Sequence, residues 1–202
     1  SLLARFYEFQ AGSIKIDGID IRNMTLASFR RNLGIVQQDV FLFSGTIEEN
    51  IRYGRRDASK EDLWNAIKAV HAEELTEYLP DGINTQVGER GKNLSTGQRQ
   101  LISFARALLT DPKILILDEA TSSVDAYTES IIQEALEVLL SNRTSIVVAH
   151  RLSTVVNSDR IIVLDHGQII EEGNHKTLLL RGGKYAELYK MYFEHQSLDW
   201  HS

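Results

Sequence analysis

The 202-residue chain contains no cysteine, which excludes a disulfide scaffold and thiol catalysis and fits a reducing compartment. Its only two prolines, Pro80 and Pro112, fall in Pro80-Asp81-Gly82 and Asp111-Pro112, where helical patterns stop. No apolar run approaches the roughly 20 residues needed to cross a bilayer, and no charged-then-apolar leader opens the chain at Ser1. The expectation is a soluble segment, with any membrane role coming through something it touches or is fused to. A formal charge of −6 and a pI near 5.5 leave no basic footprint for nucleic acid. What remains is a length sufficient for one full core, or a core with a small subdomain.

The chain is organised around Leu94–Asp125. After Leu94-Ser95-Thr96-Gly97-Gln98, the residues Leu101, Ile102, Ala105, Leu108 and Leu109 recur at helical spacing, predicting one buried stripe, with Arg99, Gln100 and Arg106 pointing elsewhere. Asp111-Pro112 ends that helix. Ile114-Leu115-Ile116-Leu117 is too short for a helix and does not alternate, which suits a strand covered on both faces of a parallel sheet. Asp118 and Glu119 follow at the carboxyl end of that strand, where open parallel sheets bind ligands. Two adjacent buried carboxylates are costly unless a cation or a positioned water accompanies them. A Mg²⁺ ion would take Asp118 as an oxygen ligand and leave Glu119 to orient or deprotonate water. A pair that merely caps the next helix is the competing reading.

These residues resemble those of ATP-binding cassette (ABC) ATPases. Leu94–Gln98 resembles the LSGGQ signature, with Thr96 where the family usually has glycine. Ile114–Glu119 resembles the Walker B strand, and Ser122-Ser123-Val124-Asp125 resembles the D-loop. Elsewhere, Gln38 in Gln37-Gln38-Asp39 matches the Q-loop glutamine, and His150 in Ala149-His150-Arg151-Leu152-Ser153 matches the H-loop histidine. Val87-Gly88-Glu89-Arg90-Gly91 resembles the segment that touches intracellular loops in exporter-type cassettes.

The resemblance implies an α/β fold: a P-loop NTPase core with a mainly parallel sheet and an inserted helical subdomain. Residues 1–38 and 99–196 would form the catalytic core, and 39–98 the helical subdomain carrying the signature. No G-x-x-x-x-G-K-[ST] occurs, so the N-terminal part of the core, with the phosphate loop, would lie just before Ser1. The implied activity is ATP hydrolysis with Mg²⁺, powering export at the cytoplasmic face of a membrane. Asp118 and Gln38 would serve the metal. Glu119 and His150 would be catalytic, and Ser95, Thr96, Gly97, Gln98 and Asp125 would contact nucleotide. The implied partners are a second cassette, arranged head to tail, and a transmembrane domain fused upstream. Thr96 carries a Cβ where backbone must approach phosphate; it suggests either a weakened signature, as in heterodimeric exporters, or a threonine tolerated in a homodimer. A non-transport cassette and a degenerate regulatory one are the rival classes.

The remaining chain is expected to hold a helix tail over Ser1–Tyr7 and a hairpin about Asp17-Gly18. A short helix over Leu26–Asn32, a strand over Leu33–Val36 and helices opened by Thr46 and Ser59 follow. Further on come a helix after Asp125 and a buried strand Thr144–Ala149. A hairpin about Asp165-His166-Gly167 precedes a final helix striped by Tyr185, Leu188, Tyr189, Tyr192 and Phe193. Phe41, Leu42 and Phe43 lie where exporters receive a coupling helix from the membrane domain.

Overall fold

The computed structural model describes residues 2–73, 79–118, 124–149 and 152–198. Two compact units divide the chain, Ser1–Val147 and Val148–Ser202. Among the described residues, no helix is long and apolar enough to cross a membrane.

The first unit opens with a turn at Leu2–Arg5, where the expected helix tail is absent. Arg5 takes φ +49°, and its guanidinium donates to Ile21 O at 2.7 Å and Met24 O at 3.1 Å. Those carbonyls hold the segment against a neighbouring 3-10 turn. The hairpin forms as expected, with β1 (Lys15–Ile16) antiparallel to β2 (Ile19–Asp20). Asp17 and Gly18 have φ +49° and +81°, the double left-handed turn that matches strand twist. Thr25 caps α1 (Leu26–Arg31), and β3 (Leu33–Val36) follows.

Next comes a two-residue ladder of β4 (Gly45–Thr46) with β5 (Gln86–Val87). Between them lie α2 (Ile47–Arg52) and α3 (Lys60–Ala69). The helix starts expected at Thr46 and Ser59 both form, each closed by a capping box, Thr46 with Glu49 and Ser59 with Asp62. Each satisfies two amides at a helix start.

Helix α4 (Thr96–Leu109) is the hub. Leu101, Ile102, Ala105 and Leu109 are buried as the spacing predicts, but so are Gln100, Ser103, Phe104 and Ala107. A single stripe therefore understates it: α4 packs on β3, α2, α3 and α5 (Ala126–Leu140), so most of its circumference is covered. Thr110 and Asp111, with φ +45° at Asp111, turn the chain into β6 (Ile114–Asp118).

Strand β6 lies parallel to β3, pairing Leu33 with Ile114 and Val36 with Leu117. On its far side is β7 (Thr144–Val148), giving the order β3-β6-β7. Thr144 N donates to Lys113 O at 3.1 Å, so β7 starts at the same end as β6. Gly34 lets these elements approach, since a Cβ there would lie 2.7 Å from Pro112 Cγ.

The sheet departs from expectation in one respect. Val36, Leu115 and Leu117 are buried while Ile35 and Ile146 are exposed and Ile116 is half-buried. One face is closed by packing and the other is open. Burial on both faces, expected for β6, does not occur among the described residues.

In the second unit, α6 (Leu152–Val156) precedes a hairpin of β8 (Ile161–Asp165) and β9 (Gln168–Gly173). Asp165 pairs with Gln168, so the turn is the two residues His166-Gly167. Helices α7 (His175–Arg181) and α8 (Lys184–Leu198) follow. Of the final stripe, Tyr185 is buried against Ile161 and Leu178, whereas Leu188 is exposed; the side chains of Tyr192 and Phe193 lie outside the described set.

Candidate functional site

The β3–β6 register fixes one corner of the site. Val36 opposite Leu117 brings Gln37 level with Asp118, with Gln38 one residue beyond. Gln38 and Asp118 are exposed at the carboxyl ends of neighbouring parallel strands, the place where such sheets bind ligands. Glu119 follows Asp118 directly but lies outside the described residues, as do Ser122, Ser123 and His150.

Helix α4 supplies the second element. Ser95 is its N-cap: its hydroxyl accepts from Gln98 N at 3.1 Å, and Gln98 Oε1 accepts from Ser95 N at 2.9 Å. Arg99 N donates to Ser95 O at 3.0 Å. The amides of Thr96 and Gly97, ahead of these, have no carbonyl within the helix to receive them. With exposed Ser95 at the positive end of a 14-residue helix, they make a start suited to an anion.

Gly97 serves packing as well. It is buried, and a Cβ there would lie 2.3 Å from Thr128 Cγ2 on α5. Gly97→Ala is expected to displace α5 and destabilise the chain by about 1–3 kcal/mol. Thr128→Ser removes that methyl and keeps the hydroxyl, so it should recover most of the loss. Urea melts of the single and double variants check this; an equal loss in both would contradict it.

Asp125 caps α5 as expected. Thr128 N donates to Asp125 Oδ1 at 2.9 Å and Thr128 Oγ1 to Oδ2 at 2.7 Å. These bonds, the hydroxyl's first and the amide's second, hold the carboxyl below the ordinary aspartate value of 3.8. With the folded value lowered, the stabilisation is complete above the unfolded value and is lost as pH falls through the folded one. An NMR titration should place Asp125 below 3.8 and Thr128→Val should raise it; an unchanged midpoint would contradict the assignment.

Two residues that sequence reasoning passed over, Asn93 and Asn50, and one that it pointed elsewhere, Arg106, hold the surroundings. Asn93 joins the Val87–Gly91 segment, accepting from Gly88 N at 2.7 Å and donating to Gln86 O at 2.8 Å. Buried Asn50 donates to Phe43 O and Thr46 O and accepts from Phe43 N. Arg106, expected to point away, donates to Asn50 O at 2.8 Å, Asn50 Oδ1 at 3.0 Å and Phe41 O at 3.0 Å. Burial holds its guanidinium below the usual arginine value. Their signal in the sequence is faint, because the bonds span up to 65 residues.

The start of α4 suits a phosphate, and Asp118 and Gln38 separately present oxygen donors suited to a hard cation. No group of three His, Cys, Asp or Glu that could hold a metal ion gathers among the described residues.

The ABC transporter family model matches residues 1–122. The chain belongs to the ABC transporter family, and its α/β fold is that of the family's ATPase. It is 59% identical over 190 residues to the uncharacterized ABC transporter ATP-binding protein YknV of Bacillus subtilis, covering 94% of this chain and 32% of that protein. It is 52% identical over 194 residues to an ATP-dependent lipid A-core flippase of Methylobacillus flagellatus, covering 96% of this chain and 33% of the flippase. A bacterial Atm1-family ABC exporter solved with ATP bound superposes with a TM-score of 0.87 at 46% identity, covering 95% of this chain and 33% of that one. The chain thus spans about a third of the length of the curated relatives it matches.

Proposed function

We propose that the chain is the ATP-binding and ATP-hydrolysing part of an exporter, working at the cytoplasmic face of a membrane beside a transmembrane domain fused upstream. Two cassettes, in this reading, face each other head to tail. The observation that carries it is the start of α4, where exposed Ser95 and the amides of Thr96 and Gly97, which have no carbonyl within the helix to receive them, make a site suited to a phosphate. Similarity over nearly the whole chain to a flippase and an exporter supports the transport role. Residues 1–38 and 99–196 act as the catalytic core and 39–98 as the helical subdomain.

Each residue then has a task. ATP with Mg²⁺ supplies the phosphoryl group and neutralises its charge. Asp118 and Gln38 hold the cation, Glu119 orients and deprotonates the attacking water, and His150 keeps Glu119 and the terminal phosphate aligned. Ser95, Thr96, Gly97 and Gln98 close over the nucleotide carried by the other cassette, and Asp125 fixes the loop beside it. Exposed Phe41 and Phe43, stacked edge to face at 5.1 Å, and Tyr53, 4.2 Å from Phe43, form the surface offered to the membrane domain.

These 202 residues alone should bind ATP weakly and hydrolyse none, whereas the full-length protein should turn ATP over. Calorimetry and phosphate release on both check this. Micromolar ATP affinity in the short chain, or no turnover in the full-length one, would contradict it.

A further inference from the structure

Thr96 is the one residue of the signature that brings a branched side chain to the anion-binding start of α4. The structure shows where that side chain goes. Its Oγ1 accepts from Arg99 Nη2 at 3.1 Å. The other arm, Nη1, donates to Leu94 O at 2.7 Å and Gly91 O at 3.4 Å. Thr96 is half-buried while Ser95 beside it is exposed. The hydroxyl is therefore drawn back toward the chain's own loop, away from the side on which Ser95 opens.

We infer that Arg99 is a positioning residue that keeps this threonine-bearing signature open, so that Thr96 is tolerated only while Arg99 is present. Residues three apart on a helix are neighbours, which puts Arg99 in reach of the first helical side chain. A planar guanidinium can hold loop carbonyls with one arm and the hydroxyl with the other; a lysine ammonium cannot hold that fork geometry. Gly91, at φ +74°, gives the stem room, since a Cβ there would lie 3.0 Å from Arg99 Cδ. Freed of Arg99, Thr96 Oγ1 and Cγ2 can rotate over the amides of Thr96 and Gly97, where they block an approaching phosphate oxygen. The threonine is then no mark of a weakened cassette, and a self-sufficient pair is expected. This inference rests on the proposed role of the α4 start.

The test is a double-variant comparison in full-length protein carrying Glu119→Gln, reading cassette closure as the distance between two spin labels during an ATP titration. Arg99→Ala and Arg99→Lys should each raise the ATP concentration at half-closure about tenfold or more in the parent signature. In a Thr96→Gly background they should raise it by less than about threefold. An equal effect of Arg99 replacement in both backgrounds overturns the inference, because loop support alone would give that. Thr96→Gly tightening closure about tenfold also overturns it. Ser95→Arg separates the underlying reading: if it leaves closure unaffected, the α4 start meets no nucleotide, and both the proposed function and this inference fall.

Discussion

Glu119→Gln in the full-length protein is expected to slow ATP hydrolysis by about 10²–10⁴-fold while leaving ATP binding intact. Glutamine keeps the size of the side chain and loses the base, so water remains near the phosphate without a group to take its proton. Its chain neighbour Asp118 is exposed at the carboxyl end of β6. The phosphates would still be held from both sides, and ATP should accumulate in a closed pair. Single-turnover kinetics with retained radiolabelled ATP measure this; hydrolysis at the parent rate would remove Glu119 from the mechanism.

Asn50→Leu should have the second-largest effect. Asn50 is 1% exposed, and its amide serves Phe43 N and O, Thr46 O and Arg106 Nη2 at 2.8–3.0 Å. Leucine of similar size leaves four groups without that partner, at about 1–3 kcal/mol for each that stays buried and unsatisfied. A loss on the order of 3–5 kcal/mol is expected in denaturant melts. The loop bearing Phe41 and Phe43 should loosen from α4, so transport should fall further than ATP hydrolysis does. A loss below about 1 kcal/mol would show that the network relaxes freely.

Features that depend on near neighbours in the chain are legible in the sequence. Thr46, Ser59, Ser95 and Asp125 announce helix starts because a capping oxygen acts on amides two or three residues away. Likewise, Asp17-Gly18 announces a hairpin through its own backbone freedom. The strand Leu33–Val36 and the helix stop at Asp111-Pro112 are local in the same sense. Features that depend on distant neighbours are not legible. Arg5 donates to the carbonyls of residues 21 and 24, and no helical stripe predicts those contacts. Continuous apolar character at Ile114–Leu117 suggests cover on both faces, yet burial depends on what packs there, and Ile116 is only half-buried. Gln100 and Arg106 look like solvent-facing residues because helical periodicity cannot show that α4 is surrounded. At the site, residue identities and their order are visible in the sequence. The clasp of Arg99 on Thr96 and the contact of Gly97 with Thr128 emerge only once the chain is folded.

The most direct measurement is an electron cryomicroscopy map of the full-length Glu119→Gln protein with ATP and Mg²⁺. The account predicts each nucleotide's terminal phosphate within hydrogen-bond distance of Ser95 of one cassette, its cation beside Asp118 of the other. A nucleotide touched by Ser95 and Asp118 of the same cassette, or Ser95 left facing solvent, would contradict it.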